Sequence, residues 1–122
     1  MSFAMVEEPD FVRVTMSGVL TGEDLVALSA AADRIEQGRD RVPHRLADLR
    51  AVTEVRISYL DVQALAEDRR ARRFPNSFKS AIIVSSSVQL GMASMFRTLN
   101  DNPQILIEIF DDDETARRWL RG

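Results

Sequence analysis

Side chains that could take part in chemistry follow three apolar runs of the sequence, each typical of a β-strand. Asp48 lies near the end of the run at residues 46–49, serines 85–87 follow the run at 81–84, and aspartates 111–113 follow the run at 105–110. Open parallel sheets bind ligands beyond the carboxyl ends of their strands. We therefore expect a functional site of this chain at that edge of a sheet.

Ser58 stands where a helical pattern begins, and its hydroxyl allows two interpretations. As a helix cap it would satisfy a free backbone N–H group in the first turn. As a phosphate acceptor it would gain about −1.5 to −2 charges at a helix N-terminus, which would change a partner surface. The pattern favours the cap and leaves phosphorylation open. Ser58, Asp48 and Thr53 are the candidate residues of such a partner surface.

Groups suited to enzymatic turnover are scarce. The chain has no cysteine and one histidine, His44, so it offers neither a thiolate nor a set of imidazoles for a metal. The glycine motifs of phosphate loops, dinucleotide sites and serine hydrolases are absent from the sequence. The aspartates at 111–113 begin a helical pattern, where the helix dipole favours acidic residues. We expect no catalytic residue, no metal site and no cofactor.

An apolar stripe follows the three serines at helical spacing. The residues of this stripe that could line a pocket are Met92, Met95, Phe96 and Leu99. The simpler interpretation is core packing, because methionine fills irregular gaps. The alternative is the adaptable wall of a pocket for a lipophilic small molecule.

A basic cluster with an aromatic residue lies at the end of the second predicted helix. Its members are Arg69, Arg70, Arg72, Arg73 and Phe74. Cations are favoured at a helix C-terminus by the dipole, which predicts a solvated helix end. Basic residues beside an exposed aromatic ring can also rest on an anionic membrane surface, so peripheral membrane contact is the alternative.

The hydrophobic periodicity predicts an α/β fold in the order β-β-α-β-α-β-α-β-α. The first two strands should pair as an antiparallel edge hairpin, and right-handed crossovers should make the later strands parallel. We predict a short third strand at 45–49 followed by a loop to residue 57. In the second helix the pattern turns Leu60, Ala64, Leu65 and Ala66 inward, and in the third helix it adds Val88 to the apolar stripe.

Composition is typical of a single soluble domain spanning residues 1–122, with 45% hydrophobic and 29% charged residues. The net charge of −3 gives no general attraction to nucleic acid, and only residues 38–79 carry a net positive charge. We see no signal peptide and no apolar stretch near the roughly 18 residues that a membrane span needs. The lack of cysteine fits a cytoplasmic location.

Four stretches resemble the SpoIIAA-like group, which is related to the STAS domains of sulphate transporters and anti-sigma-factor antagonists. They read FVRVTMSGVLTGEDLVAL, LADLRAVTEV, ARRFPNSFKSAIIVSSSVQLGMASMFRTL and IEIFDDDETARRWL, and together they cover most of the chain. The resemblance implies a mostly parallel sheet with packed helices and the antiparallel N-terminal hairpin.

The resemblance also implies two functions. Bacterial anti-sigma-factor antagonists carry an Asp-Ser-Ser-Gly loop whose second serine is phosphorylated by a partner kinase, and that place falls at or near Ser58. Here residues 56–59 read Arg-Ile-Ser-Tyr, so the motif itself is missing. A non-catalytic domain that binds an unidentified protein partner, with a homodimer as one form, is the first hypothesis. The likeness of this fold to Sec14 and CRAL-TRIO domains implies the second, a lipophilic ligand with transient membrane contact.

Overall fold

Residues 3–122, which a computed structural model describes, form five strands and four helices in the predicted order. The elements are β1 (Phe3–Glu7), β2 (Phe11–Thr21), α1 (Gly22–Glu36), β3 (His44–Arg56), α2 (Tyr59–Arg70), β4 (Phe78–Ile83), α3 (Ser87–Leu99), β5 (Ile105–Phe110) and α4 (Asp113–Arg121). No helix within these residues is both long and apolar enough to cross a bilayer.

The strands make one sheet in the order β1-β2-β3-β4-β5. β1 pairs with β2 antiparallel, and every later neighbour is parallel, which confirms the predicted fold class. Right-handed crossovers in one direction place α1, α2 and α3 on the same face of the sheet. α4 covers the other face, because Ala81 and Ile83 pack with its Ala116 and Leu120, whereas Ile82 packs in the larger cluster beneath the three helices.

β3 is longer than the sequence predicts. It continues to Arg56, so the predicted loop is wrong for residues 50–56. The extension pairs with β2 from Ser17 opposite Ala51 to Thr21 opposite Arg56, with one register shift just before Ser17 and a second between Gly18 and Val19. β4 ends at Ile83, so β2 and β3 project beyond it. The edge where β2 to β5 end and α1 to α3 begin is called the carboxyl edge below, and the opposite edge the amino edge.

Each helix begins at a short polar side chain that accepts a backbone N–H of the first turn. The caps are Thr21, Ser58, Ser86 and Asp112. Thr21 and Ser58 each form a full capping box, in which the carboxylates of Asp24 and Asp61 accept the backbone N–H of the cap residue. The predicted cap roles of Thr21, Ser58 and the serine run are confirmed.

The inward faces of α2 and α3 agree only in part with the predicted ones, since Ala66 is buried and Leu65 lines the space beneath the helices. Leu60 and Val88 are 70% and 61% exposed, and Ala64 also faces solvent. The buried residues of α2 are Val62, Ala66 and Arg69, and those of α3 are Gln89 and Ala93. Both inward faces contain a polar residue with long-range partners, which a search for apolar periodicity passes over.

Candidate ligand-binding cavity

A cavity of about 130 Å³ lies between the sheet and helices α1 to α3. Small side chains from four different elements create the space: Ala32 of α1, Ala47 of β3, Ser80 of β4 and Ala93 of α3. Larger residues at these facing positions would close it. An apolar cavity of about 150 Å³ in another protein stays dry and binds benzene, so the space suits a small organic molecule.

The wall of the cavity is predominantly apolar and partly flexible. Met5, Met16 and Met92 approach it from β1, β2 and α3, and Phe96 adds an aromatic surface. Methionine has three rotatable bonds and a polarizable sulfur, so a wall of this kind can adapt to different shapes. The cavity can therefore change its shape without a change of fold.

Polar groups gather on the cavity wall at the amino edge. Arg45 at the start of β3 and Arg69 near the end of α2 both donate to the Glu36 carboxylate at the end of α1, Arg45 at 2.6 Å. The two guanidinium groups also stand 4.6 Å and 5.7 Å from the ring centroids of Phe78 and Phe74. Burial lowers the pKa of Arg45, and the Glu36 carboxylate opposes that effect.

The ion network continues outward from Arg69. Arg69 donates to Asp33 at 3.2 Å, and Arg72 donates to Asp33 at 2.9 Å and to Asp68 at 3.0 Å. The Ser29 hydroxyl donates to Asp68 at 2.6 Å, and this bond, together with Arg72, lowers the pKa of that carboxyl. Three cations and three carboxylates are thus joined, with no excess charge of either sign.

Asn100 lies on the polar part of the wall, but its side chain lacks the hydrogen-bond partners that Arg45 and Arg69 have. Its side chain follows α3 and is 5% exposed, and its backbone N–H donates to the Phe96 carbonyl at 2.9 Å. Within residues 3–122, its amide nitrogen and oxygen are the only fully buried side-chain polar atoms without a hydrogen-bond partner. A buried polar group left unpaired costs about 1–3 kcal/mol. Such a cost is typical of positions that serve a ligand or an ordered water molecule.

The predicted pocket residues divide into two pairs. Met92 and Phe96 line the cavity, whereas Met95 and Leu99 are half-buried outside its wall. Asn100, Arg45 and Ser80 were missed as wall residues by sequence reasoning. The Asn-Asp-Asn-Pro stretch at 100–103 reads as a helix stop, and nothing in its sequence signals that Asn100 is buried.

The three residues of the predicted partner surface lie apart. Ser58 is exposed at the carboxyl edge, where its hydroxyl accepts the Asp61 N–H at 3.2 Å. Thr53 is exposed on the extension of β3. Asp48 is buried where β4 ends, and Arg50 donates to both of its oxygens at 3.0 Å and 2.9 Å. These bonds hold the pKa of the Asp48 carboxyl below its ordinary value.

Arg13 links Asp48 to the start of α4. Its guanidinium lies 3.6 Å from Asp48 and donates to Asp113 at 2.6 Å. Burial would raise the pKa of Asp113, but the bonds from Arg13 and Arg117 lower it below its ordinary value. Asp113 therefore holds the start of α4 to β2 through Arg13, whereas Asp112 caps α4 itself. Within residues 3–122, no group of three histidine or acidic side chains is placed to hold a metal ion.

The predicted membrane patch is only partly at the surface. Arg69 is 4% exposed and belongs to the ion network, and Phe74 packs edge-on against Phe78 with ring centroids 5.0 Å apart. Arg70 and Arg73 are exposed, while Arg72 is half-buried and paired. The basic cluster thus presents Arg70 and Arg73 to solvent around a largely structural centre, and Arg73 donates to the Arg72 carbonyl at 3.2 Å.

His44 and the candidate serines lie at opposite edges of the sheet. His44 begins β3 at the amino edge, where its Nδ1 accepts the Lys79 backbone N–H at 2.8 Å. Ser58 and serines 85–87 follow strand ends at the carboxyl edge. Burial, with Lys79 and Arg41 nearby, lowers the pKa of His44 and favours the neutral ring. The imidazole cannot serve these serines as a base.

Comparison with solved structures places this architecture among known folds. The chain is similar to an uncharacterized protein of the DUF3478 family with a SpoIIAA-like fold from Shewanella loihica PV-4, with a TM-score of 0.62 and 17% sequence identity. The match covers 97% of this chain and 91% of the other. No family model and no curated protein matches the sequence. The similarity establishes a SpoIIAA-like fold and leaves the function to the geometry of the chain itself.

Proposed function

We propose that this protein is a non-catalytic binding domain that holds a small lipophilic molecule between its sheet and helices α1 to α3. The observation that supports the proposal is the cavity of about 130 Å³, walled by methionine and aromatic side chains. Native interiors are close-packed and contain few voids larger than a water molecule. A space of this size is destabilising unless something fills it.

The arrangement of reactive groups supports a non-catalytic role. His44 lies at the amino edge, and the candidate serines, Ser58 and serines 85–87, lie at the carboxyl edge, so these hydroxyls and the imidazole are not within reach of each other. The cavity wall offers two arginines already paired with Glu36 and the amide of Asn100. Such groups can orient a bound molecule, but none is an activated nucleophile.

Toluene is a suitable probe for the proposal. We expect it to perturb the backbone amide resonances of residues around the cavity in ¹H–¹⁵N spectra of the full chain. Ala93→Leu should abolish these changes, because Ala93 is 3% exposed and lines the cavity. Ala64→Leu is the matched control, since Ala64 is exposed on the outer side of α2 and the same enlargement there leaves the cavity open.

The two variants also differ in expected stability. Filling a cavity commonly stabilises a protein by about 0.5–2 kcal/mol, so Ala93→Leu should unfold at or above the wild-type temperature. Toluene should raise the unfolding temperature of the wild type and of Ala64→Leu only. If toluene shifts no resonance in the wild type, or affects Ala93→Leu equally, the cavity is not a binding site.

A second candidate function is protein binding at the carboxyl edge, and an exposed apolar surface there favours it. The first two turns of α1, α2 and α3 carry the carboxyl-edge surface, which consists of Val26, Tyr59, Leu60, Val88 and Leu90. Exposed apolar residues grouped in one place are typical of interaction sites. Ser58 caps α2 beside this surface, so a phosphate there would change the charge that a partner meets.

Affinity capture with matched variants tests the second candidate. A specific partner should be retained by the wild type and by Leu106→Ser, which alters an exposed leucine of β5, and lost with Leu60→Ser. Ser58→Glu should weaken the same interaction. Sedimentation velocity of the same variants shows whether the partner is a second copy of this chain. Equal retention by wild type and Leu60→Ser would contradict the candidate.

A further inference from the structure

We propose that the occupant of the cavity is an uncharged amphiphile, whose single polar group both donates and accepts a hydrogen bond and pairs with the side chain of Asn100. This inference rests on the proposed function, because it names the class of molecule that the cavity holds. Primary amides, alcohols and protonated carboxylic acids belong to this class. Its apolar part lies among the methionines and its polar group faces the amino edge.

The hydrogen-bonding capacity of Asn100 supports the polar group. An asparagine amide has two N–H donors and an oxygen that accepts two hydrogen bonds. Both atoms are buried without a partner in residues 3–122, although Asn102, two residues later, uses its amide nitrogen to bind the carbonyls of Arg69 and Arg72 at 3.0 Å each. Asn102 thus stabilises the fold, whereas the amide of Asn100 remains able to form hydrogen bonds with a group that is not part of the fold.

The charge balance around Asn100 argues for an uncharged ligand. Arg45 and Arg69 share Glu36, and Arg69 and Arg72 share Asp33. A carboxylate entering the cavity would lose its hydration and would have to compete with these existing partners. A neutral group pays a much smaller desolvation cost and needs only the amide of Asn100.

The position of Asn100 sets the direction of the ligand. Asn100 follows α3 at the amino edge, together with Arg45, Arg69 and Ser80 on the wall. Leu20 and Leu25, where β2 ends and α1 begins, belong to the apolar wall toward the carboxyl edge. A molecule with one polar end therefore has one favourable orientation in the cavity.

Three probes of matched shape test the inference: benzamide, benzoate and cumene, each titrated into the full chain at neutral pH. We expect benzamide to bind more tightly than benzoate. Asn100→Leu should weaken the binding of benzamide by about tenfold, the scale of one lost hydrogen bond. The affinity for cumene should stay the same or increase. In the wild type, benzamide should shift the Asn100 side-chain NH₂ resonances and cumene should not, which keeps the test valid if Asn100→Leu folds poorly.

The possible results separate the inference from the proposed function. If cumene binds but neither Asn100→Leu nor the Asn100 resonances distinguish benzamide from it, the cavity binds ligands and the inference is wrong. Tighter binding of benzoate than of benzamide also overturns it, because the polar group would then be anionic. If none of the three probes binds while toluene also fails, the proposed function itself is wrong.

Discussion

A Cβ atom added to Gly22 would lie 2.7 Å from the carboxylate of Asp61, closer than side-chain atoms pack. Gly22 is the first residue of α1, and Asp61 lies in the first turn of α2, where its carboxylate accepts the Ser58 backbone N–H at 2.9 Å. Two helix N-termini therefore meet at the carboxyl edge. The missing side chain at position 22 leaves room for the capping box of α2.

Gly22→Ala should displace the Asp61 carboxylate from the Ser58 N–H. We expect the lost cap bond to outweigh the better helix propensity of alanine, which makes the variant less stable than wild type by up to about 1 kcal/mol. Chemical denaturation measures the free energy of unfolding. In an Asp61→Ala background the same glycine change should become neutral or stabilising, since the obstructing carboxylate is gone.

Gly91→Ala is the matched control for this prediction. Gly91 is exposed in α3, and a Cβ there meets no atom of the described structure within 4 Å. The control should stabilise the protein by about 0.5–1 kcal/mol because alanine loses less backbone entropy on folding. If Gly22→Ala stabilises to the same extent, the contact with Asp61 has no energetic role.

Arg69→Leu should destabilise the protein strongly, although the residue belongs to a predicted surface cluster. Arg69 is 4% exposed and is shared by Asp33 and Glu36, which would lose a partner while remaining partly buried. Breaking a buried ion pair costs about 3–5 kcal/mol, and because Arg45 still pairs with Glu36 we expect the lower end of that range. Arg70→Leu, at the exposed neighbouring position, should change the free energy of unfolding by no more than about 0.5 kcal/mol. Equal effects of the two substitutions would show that the ion pairs of Arg69 contribute little to stability.

Asp48→Asn should lower the free energy of unfolding at neutral pH and make that free energy depend less on pH in the acid range. The bonds from Arg50 lower the pKa of Asp48 in the folded state, so folding favours the ionised carboxyl. Its contribution is complete above the ordinary aspartate pKa, near pH 4, and is lost as the pH falls through the lower folded value. We expect the variant to be less stable by about 1–3 kcal/mol at pH 7.

Unfolding curves between pH 7 and pH 2 test the sign of this effect. The difference between wild type and Asp48→Asn should stay constant above about pH 5 and shrink below about pH 4. Asp112→Asn, at the half-buried cap of α4, is the comparison. The bond from the Thr115 N–H also lowers the pKa of Asp112, so its difference from wild type should shrink in acid too, but it should be smaller at pH 7 because the amide oxygen keeps that bond. A difference for Asp48→Asn that grows toward low pH would contradict the assignment.

Features that depend on neighbours in the chain could be predicted from the sequence. Residues 105–110 form β5 within the predicted bounds, because a mostly apolar, isoleucine-rich run between a proline turn and an acidic cap favours a strand. The Thr21 and Ser58 caps follow from the same kind of local rule. The parallel order of β2 to β5 follows from the alternation of strands and helices.

Features that depend on distant partners could not be predicted in this way. The extension of β3 to Arg56 exists because β2 supplies a pairing edge as far as Thr21. Gln89 is buried because its amide nitrogen donates to the Val52 carbonyl at 3.3 Å and its oxygen accepts the Ser85 N–H at 2.9 Å. The cavity arises from small residues on four elements, and Asn100 belongs to it only in the folded chain.

Ser58→Ala should destabilise the protein by about 1 kcal/mol, because the variant loses the bond between the hydroxyl and the Asp61 N–H while keeping the rest of α2 unchanged. Ser58→Thr should retain most of the wild-type stability, since threonine also caps helices. Ser87→Ala is the matched control: Ser87 is exposed and follows the Ser86 cap of α3, so its removal should alter the free energy of unfolding by no more than about 0.5 kcal/mol. Thermal and denaturant unfolding of the three variants measures these differences in the free energy of unfolding. A Ser58→Ala variant as stable as Ser87→Ala would mean that this hydroxyl is not needed for the helix, and would favour a role for it in contact with a partner.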